Sequence, residues 1–403
     1  MKQEIRLNVN EAPAVNPPLA TPISIGLLGA AAFVVTADVR VINPLLHIIA
    51  TEFKTDVGSA GIIVTAYAIP YGLFQLVYGP IGDRYGKLKI MSIALLLFSF
   101  GTALCAFAPS LMFLGLLRFS TGVAAAAIIP MSLAYIGDSY SYKERQVAIG
   151  KFLGALAMAQ ILSTSLGGIA GDFLSWRFLF FFYGLISLVI GFVFWKAARR
   201  GNIASATNAN ARISFRPYWG LLVDRGPRLV IIAVFIEGFF FFGAFSYLGA
   251  FLREEYNLAY ILIGLMLSGF GLGSLIYSRS VGWLVRRFGE SGLILIGGSL
   301  TFVSYMIIGL LQMWPLFIPV NIFLGLGYYM IHSTFQTKAT EMAPGSRGTA
   351  VSLFAFSLFF GQGIGTAFIG LVINGPGYEL AFVIAGVALA LLGFWFVVAN
   401  KQT

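Results

Sequence analysis

Five ionisable residues stand inside long apolar stretches of this chain: Asp38, Arg40, Arg118, Glu237 and His332. A charge in such a stretch is costly to keep, and it points to binding or proton handling before it points to packing. Asp38 and Arg118 each lie about eight residues from the end of their stretch, roughly 12 Å deep at the helical rise. Glu237 sits in Phe235-Ile-Glu-Gly-Phe-Phe-Phe-Phe242. A carboxylate among rings suits a cationic or amphipathic ligand, or a second proton site, or a hydrogen-bonded packing role. His332 follows Tyr328 and Tyr329; it reads as a titrating or ligand-binding group, or as a satisfied core histidine. Arg40, two residues beyond Asp38 and on another side of the helix, reads as an anion ligand or a snorkelling charge. Asn43, Gln75, Gln160, Asn321, Gln336 and Gln362 complete the polar set. With Arg40 and Tyr328, all but Asn321 are candidates for lining a cavity; the alternative for each is a bridge between helices.

The elements that must position these groups are membrane helices. Of the 403 residues 58% are hydrophobic and 10% charged, with mean hydropathy +0.87. A soluble chain carries roughly a quarter charged residues, so most of this surface faces something other than water. Apolar runs of about twenty residues begin near Pro22, Val57, Lys89, Leu111, Gln146 and Trp176, and again near Leu229, Ala259, Gly292, Pro315, Arg347 and Tyr378. The expected fold is all-α: twelve transmembrane helices in two six-helix pseudo-symmetric halves. The halves span residues 22–195 and 229–399, with a tail at 1–21, a linker at 196–228 and a tail at 400–403. The linker is rich in Ala, Asn, Ser and basic residues and has low helical commitment.

A duplication supports the two halves. Gly79-Pro-Ile-Gly-Asp-Arg-Tyr-Gly-Lys-Leu-Lys89 recurs in decayed form as Gly282-Trp-Leu-Val-Arg-Arg-Phe-Gly-Glu-Ser291, and Arg145-Gln-Val-Ala148 recurs as Arg347-Gly-Thr-Ala350. Paired bundles of this kind rock about a central site in transporters. The net charge of +10 follows topology and not nucleic-acid binding. Three of the 26 basic residues (Lys54, Arg177 and Arg253) fall in odd-numbered loops and two (Arg40 and Arg118) within spans, leaving 21 in the tails and even-numbered loops. Both termini are therefore expected in the cytoplasm. The first twenty residues lack the pattern of a cleaved signal, so the first span is expected to be its own insertion signal. The one cysteine, Cys105, excludes an intrachain disulfide, and no metal, cofactor or ATP motif is found.

The Gly79–Lys89 stretch resembles the loop between helices two and three of the major facilitator superfamily, G-x-x-x-D-R-x-G-x-x-[KR], carried here by Gly79, Asp83, Arg84, Gly86 and Lys89, with Gly82 and Lys87 inside it. The resemblance extends over essentially the whole chain, and within the superfamily it is strongest to the twelve-helix proton-driven drug exporters. It implies that Asp83 docks on the N-terminus of the eleventh helix near Arg347 and latches the cytoplasmic side, with Arg84, Lys87 and Lys89 completing the network. It also makes helices one and four neighbours, so Asp38 and Arg118 are expected to pair. Protonating Asp38 would then release Arg118; a static ion pair is the alternative. Arg118-Phe-Ser-Thr-Gly122 and Asp38-Val-Arg-Val-Ile-Asn43 resemble exporter motifs of helices four and one, although Arg40 stands where a smaller residue is usual. In helix five, Gly167-Gly168 and Trp176-Arg177 are kept, but Ser163-Thr164 replaces the Gly-Pro associated with antiport.

These residues imply proton-coupled export of a small amphipathic compound or drug by a multi-pass protein of the cell membrane. Proton-coupled uptake of a nutrient is the nearest alternative, and a non-transporting receptor is a more distant one. No enzyme signature is present. The expected partners are a small-molecule substrate, protons and the lipid bilayer, with no nucleic acid, and the resemblance implies a monomer.

Overall fold

The structure, a computed structural model, describes residues 23–140, 142–200, 216–311, 313–343 and 347–400. The predicted tail at 1–21, the 201–215 stretch of the predicted linker and residues 401–403 lie outside the described residues. Every described element is helical. Ser24 caps the first helix by accepting from the Leu27 N–H, which satisfies one orphan donor of the first turn. This helix, α1, runs Ile25–Arg40 and, after a 45° bend, Ile42–Glu52. Pro44 explains the bend: it has no N–H to offer the Arg40 carbonyl, and its ring crowds that carbonyl.

The next helices are α2 (Val57–Tyr85), α3 (Lys87–Cys105), α4 (Leu111–Ser139), α5 (Glu144–Phe173) and α6 (Trp176–Ala197). The short helix Arg216–Val223 precedes α7 (Arg225–Tyr256). Tyr260–Leu310 is one helical stretch of 51 residues. At 1.5 Å per residue it would be about 77 Å long, more than twice a hydrocarbon core of about 30 Å. Gly289, at φ 65° and ψ 177°, divides it into α8 (260–288) and α9 (290–310), at the glycine that the duplicated loop matches to Gly86. Gly86 likewise has positive φ, 91°. The chain ends with α10 (Trp314–Glu341), α11 (Arg347–Asn374) and α12 (Tyr378–Asn400). With the bent pair counted as one span and the 51-residue stretch as two, the described residues hold twelve, compatible with the predicted number.

The first six helices meet the last six along two seams, α2 against α11 and α5 against α8. The second seam is closed by glycines. A Cβ on Gly168 would lie 2.4 Å from the Tyr260 carbonyl, and one on Gly264 would lie 2.4 Å from that of Thr164. Without a hydrophobic drive inside lipid, such backbone approach is what makes helices adhere. Leu97, Phe100, Phe113, Leu371 and Phe394 point outward, as a lipid-facing surface requires.

Candidate functional site

Asp38 on α1 and Arg118 on α4 form the predicted pair. Arg118 Nη1 donates to Asp38 Oδ2 at 2.5 Å, and both side chains are at most 1% exposed. Arg118 also lies over the Tyr67 ring, 4.3 Å from its centroid, and 5.5 Å from that of Phe180. The pair is not fully satisfied: Asp38 Oδ1, Arg118 Nε and the Tyr67 hydroxyl are buried without a hydrogen-bond partner in the structure. A buried ion pair offsets its desolvation only when the remaining lone pairs and protons are met. Here the Tyr67 and Phe180 ring faces supply part of that compensation on the arginine side.

Glu237 on α7 and His332 on α10, which the sequence presents as separate candidates, form a second pair. His332 Nδ1 and Glu237 Oε2 are 3.3 Å apart; Glu237 is fully buried and His332 13% exposed. Glu237 Oε1 has no partner. Tyr328 stacks on the imidazole with centroids 4.9 Å apart, and Phe354 lies 5.3 Å away. Immediately after Glu237, Gly238–Phe242 winds as a π-helix. The wider turn re-aims the following rings, placing Phe241 against Tyr328, 4.5 Å between centroids, and Phe242 beneath Arg40.

Arg40 lies between these pairs. It is half-buried, its guanidinium is 4.4 Å from the Phe242 centroid, and Tyr71, Tyr328 and Tyr329 are within its electrostatic reach. None of the described ion pairs includes it. A guanidinium in mid-membrane costs about 2.5–3.5 kcal/mol on insertion scales, and a ring face returns about 0.5–2 kcal/mol, so packing alone does not account for it.

The other cavity candidates divide. Asn43, Gln75, Gln362 and Tyr328 are buried, and Asn43 Nδ2 and Gln362 Oε1 are unpartnered. Gln160 Nε2 donates to the Tyr329 hydroxyl at 3.4 Å across the α5–α8 side. Asn321 turns back on its own helix, donating to the Phe317 carbonyl. Gln336 is exposed, one turn beyond His332 on α10. A cavity of about 640 Å³ lined by Ile25, Gly29, Phe33, Lys151, Ala155 and Tyr183 contains none of these residues.

The Asp83 loop departs from expectation. Asp83 pairs with Lys87 at 2.8 Å, and Lys87 reaches Asp138 on α4 at 2.8 Å, so this network stays within the first six helices instead of docking on α11. Arg84 lies over Tyr85, 5.2 Å from its centroid; Lys89 is exposed; Gly82 abuts Met131, and Gly79 faces open space. A carboxylate does sit on a helix N-terminus across the two sets, but on the far side of the molecule. Asp172 at the end of α5 accepts from the Tyr260 and Ile261 N–H groups of α8, at 3.1 and 2.7 Å. The N-terminus of a helix is partially positive, which favours this contact.

More far-side bonds join the two sets. Asn374 Nδ2 bonds Asp56 Oδ1, the Gly58 N–H donates to Asn374 Oδ1, Tyr247 donates to the Gly58 carbonyl, and His47 meets the Tyr260 hydroxyl at 2.7 Å. Burial raises the Asp56 carboxyl, but hydrogen bonds from the Ser59 N–H and hydroxyl and from Asn374 outweigh it and hold the group below the usual carboxylate range. Trp176-Arg177 of the fifth-helix motif works on the same side: Trp176 Nε1 and Arg177 hold Glu52, and Arg177 Nη1 also donates to the Ala106 and Ala108 carbonyls. The molecule is therefore clasped opposite the Asp83 loop.

Comparison with known proteins agrees with this architecture. Residues 28–361 match the family model of the Major Facilitator Superfamily. The chain is 29% identical to the uncharacterized MFS-type transporter YceJ of Bacillus subtilis, over 84% of this chain and 86% of that one. It is 27% identical to a probable sugar efflux transporter of Helicobacter pylori, over 87% and 88%. The crystal structure of a bacterial homolog of the human lysosomal transporter Spinster, in an inward-facing and occupied conformation, superposes with a TM-score of 0.77 at 16% identity, covering 94% of this chain and 96% of that one.

Proposed function

The chain belongs to the major facilitator superfamily, and from that premise we propose that it is a secondary transporter exchanging protons for a small amphipathic molecule across the cell membrane. The observation that carries this reading is the Asp38–Arg118 pair: a fully buried carboxylate, held by a guanidinium that stays protonated, with one oxygen left open. Protonation of Asp38 frees Arg118 to swing toward Tyr67 and loosens α1 from α4. Glu237–His332 repeats the arrangement on α7 and α10. The tails and the Asp83 loop face the cytoplasm, with residues 22–195 and 229–399 as the rocking halves. The far-side clasp is then the closed external face, and the face that carries the Asp83 loop is the one that opens. Asp83 takes up its place on the N-terminus of α11 when the cycle turns over and the cytoplasmic side closes.

The outward direction is supported by the exporter-like motifs around Asp38 and Arg118, and by the efflux for which the Helicobacter relative is named. Uptake by the same machinery is the second reading, favoured by Ser163-Thr164 in place of Gly-Pro. Inside-out vesicles holding a pH gradient, read by a pH-sensitive dye and challenged with cationic, neutral and anionic amphipathic compounds, test the proposal. Compound-dependent proton release is the expected result. Its absence with correctly inserted protein, combined with compound accumulation driven by the opposite gradient, would replace export by uptake.

A further inference from the structure

Arg40 is not used by the proton-handling pairs, and its surroundings give it a different task. It ends the straight part of α1, one residue before the bend imposed by Pro44. The two carboxylates nearest it in the membrane are engaged, Asp38 by Arg118 and Glu237 by His332, and both are fully shielded. The charge that an entering molecule meets is therefore positive. Around it are ring faces: Phe242 under the guanidinium, Tyr328 packed on Phe242 with centroids 5.1 Å apart, and Tyr71 backed by Phe359 at 4.4 Å. One turn further along, the buried Asn43 Nδ2 lacks an acceptor. The guanidinium is without an ion-pair partner among the described residues, and the walls beside it are apolar and flat.

We propose that this cluster binds a planar organic monoanion, a carboxylate on a flat apolar body. Arg40 holds the carboxylate, and Phe242, Tyr71 and Tyr328 cover the body. A guanidinium fork matches two carboxylate oxygens at once. That such an anion is cargo rests on the transporter reading above; that it binds does not. An organic cation seeking Glu237 would have to pass a guanidinium that repels it, to reach a carboxylate with no exposure.

The test is calorimetric titration of the purified protein in lipid nanodiscs with three probes of one shape: 2-naphthoate, 2-naphthamide and 2-naphthylmethylammonium. Naphthoate is expected to bind best. Arg40→Gln should weaken naphthoate about 10- to 100-fold, the range for hydrogen bonds to a charged group, while changing naphthamide little. Arg40→Lys, which keeps charge without the fork, should fall between. Unfolding midpoints of the variants show whether each is folded, and the probe series on the unmodified protein stands even where a variant is not. Failure of naphthoate to bind, equal binding to Arg40→Gln, or preference for the ammonium probe overturns the proposal. Naphthoate that binds through Arg40 but is not carried in vesicles upholds the site and contradicts the transporter reading instead.

Discussion

The two buried pairs occupy corresponding helices, α1 with α4 and α7 with α10, yet they differ in kind. Asp38 is opposed by an arginine at 2.5 Å with both partners sealed, whereas Glu237 is opposed by a histidine at 3.3 Å that keeps some exposure. An arginine holds its proton under all conditions a cell meets, so the first pair changes charge only at Asp38. The second pair is held by a longer contact, and its ring partner is less enclosed, so it is the looser of the two. The two faces of the molecule show a parallel contrast. The far side uses Asp172 on a helix N-terminus to hold the two sets together, and the side with the duplicated loops keeps the same kind of group, Asp83, turned back on its own set.

The largest expected effect separates the pairs by stability. Arg118→Ala strands a buried carboxylate and should cost about 3–5 kcal/mol, and Asp38→Ala added to it should recover part of that loss. His332→Ala removes the longer contact of 3.3 Å and should cost about 1–2 kcal/mol. Denaturation of the three variants in detergent measures the difference, and equal costs for Arg118→Ala and His332→Ala would erase the distinction. Next, Asp83→Asn should reduce transport roughly tenfold by removing the carboxylate from its partially positive partner, while membrane insertion stays normal. Loss of insertion would assign Asp83 to folding instead of gating.

Asp172→Asn should weaken the far-side clasp by about 1–2 kcal/mol. Spin labels placed at Ser175 and Ala259 would show a population with the far side parted, and an unchanged distance distribution would remove Asp172 from the gate. The smallest effect is titration at Asp56. Its carboxyl is held below the usual range in the folded chain, so its contribution is fully present above its unfolded value and is lost as pH falls through the folded one. Clasp strength should therefore be flat through neutrality and decline only in strong acid, and Asp56→Asn should abolish that decline.

The span pattern, the break at the second duplicated loop and the Asp38–Arg118 pair were all legible in the sequence. Each rests on features local to one helix: an apolar run, a glycine, a depth counted from a helix end, together with a family resemblance that sets helix order. The Glu237–His332 contact was not legible, although both residues were singled out. Their meeting depends on rotation of α7 and α10, and the π-helical turn at Gly238–Phe242 changes the phase of α7 where it matters. The same turn hid Phe242 as the floor beneath Arg40. Asp172 went unnoticed because a carboxylate at a helix end looks like any loop charge until another helix is seen to start beside it. Asp83 illustrates a different limit: the contact that the resemblance implies is not made in this structure, where Lys87 of the same loop takes its place.

The central claim, that a proton on Asp38 drives the transport cycle, is tested most directly by proton movement per substrate molecule in proteoliposomes, with Asp38→Asn and Glu237→Gln compared side by side. We expect Asp38→Asn to exchange substrate down its gradient without moving protons, and Glu237→Gln to keep proton movement with a shifted pH dependence. Proton movement that survives in Asp38→Asn and vanishes in Glu237→Gln would contradict the account and transfer coupling to α7 and α10.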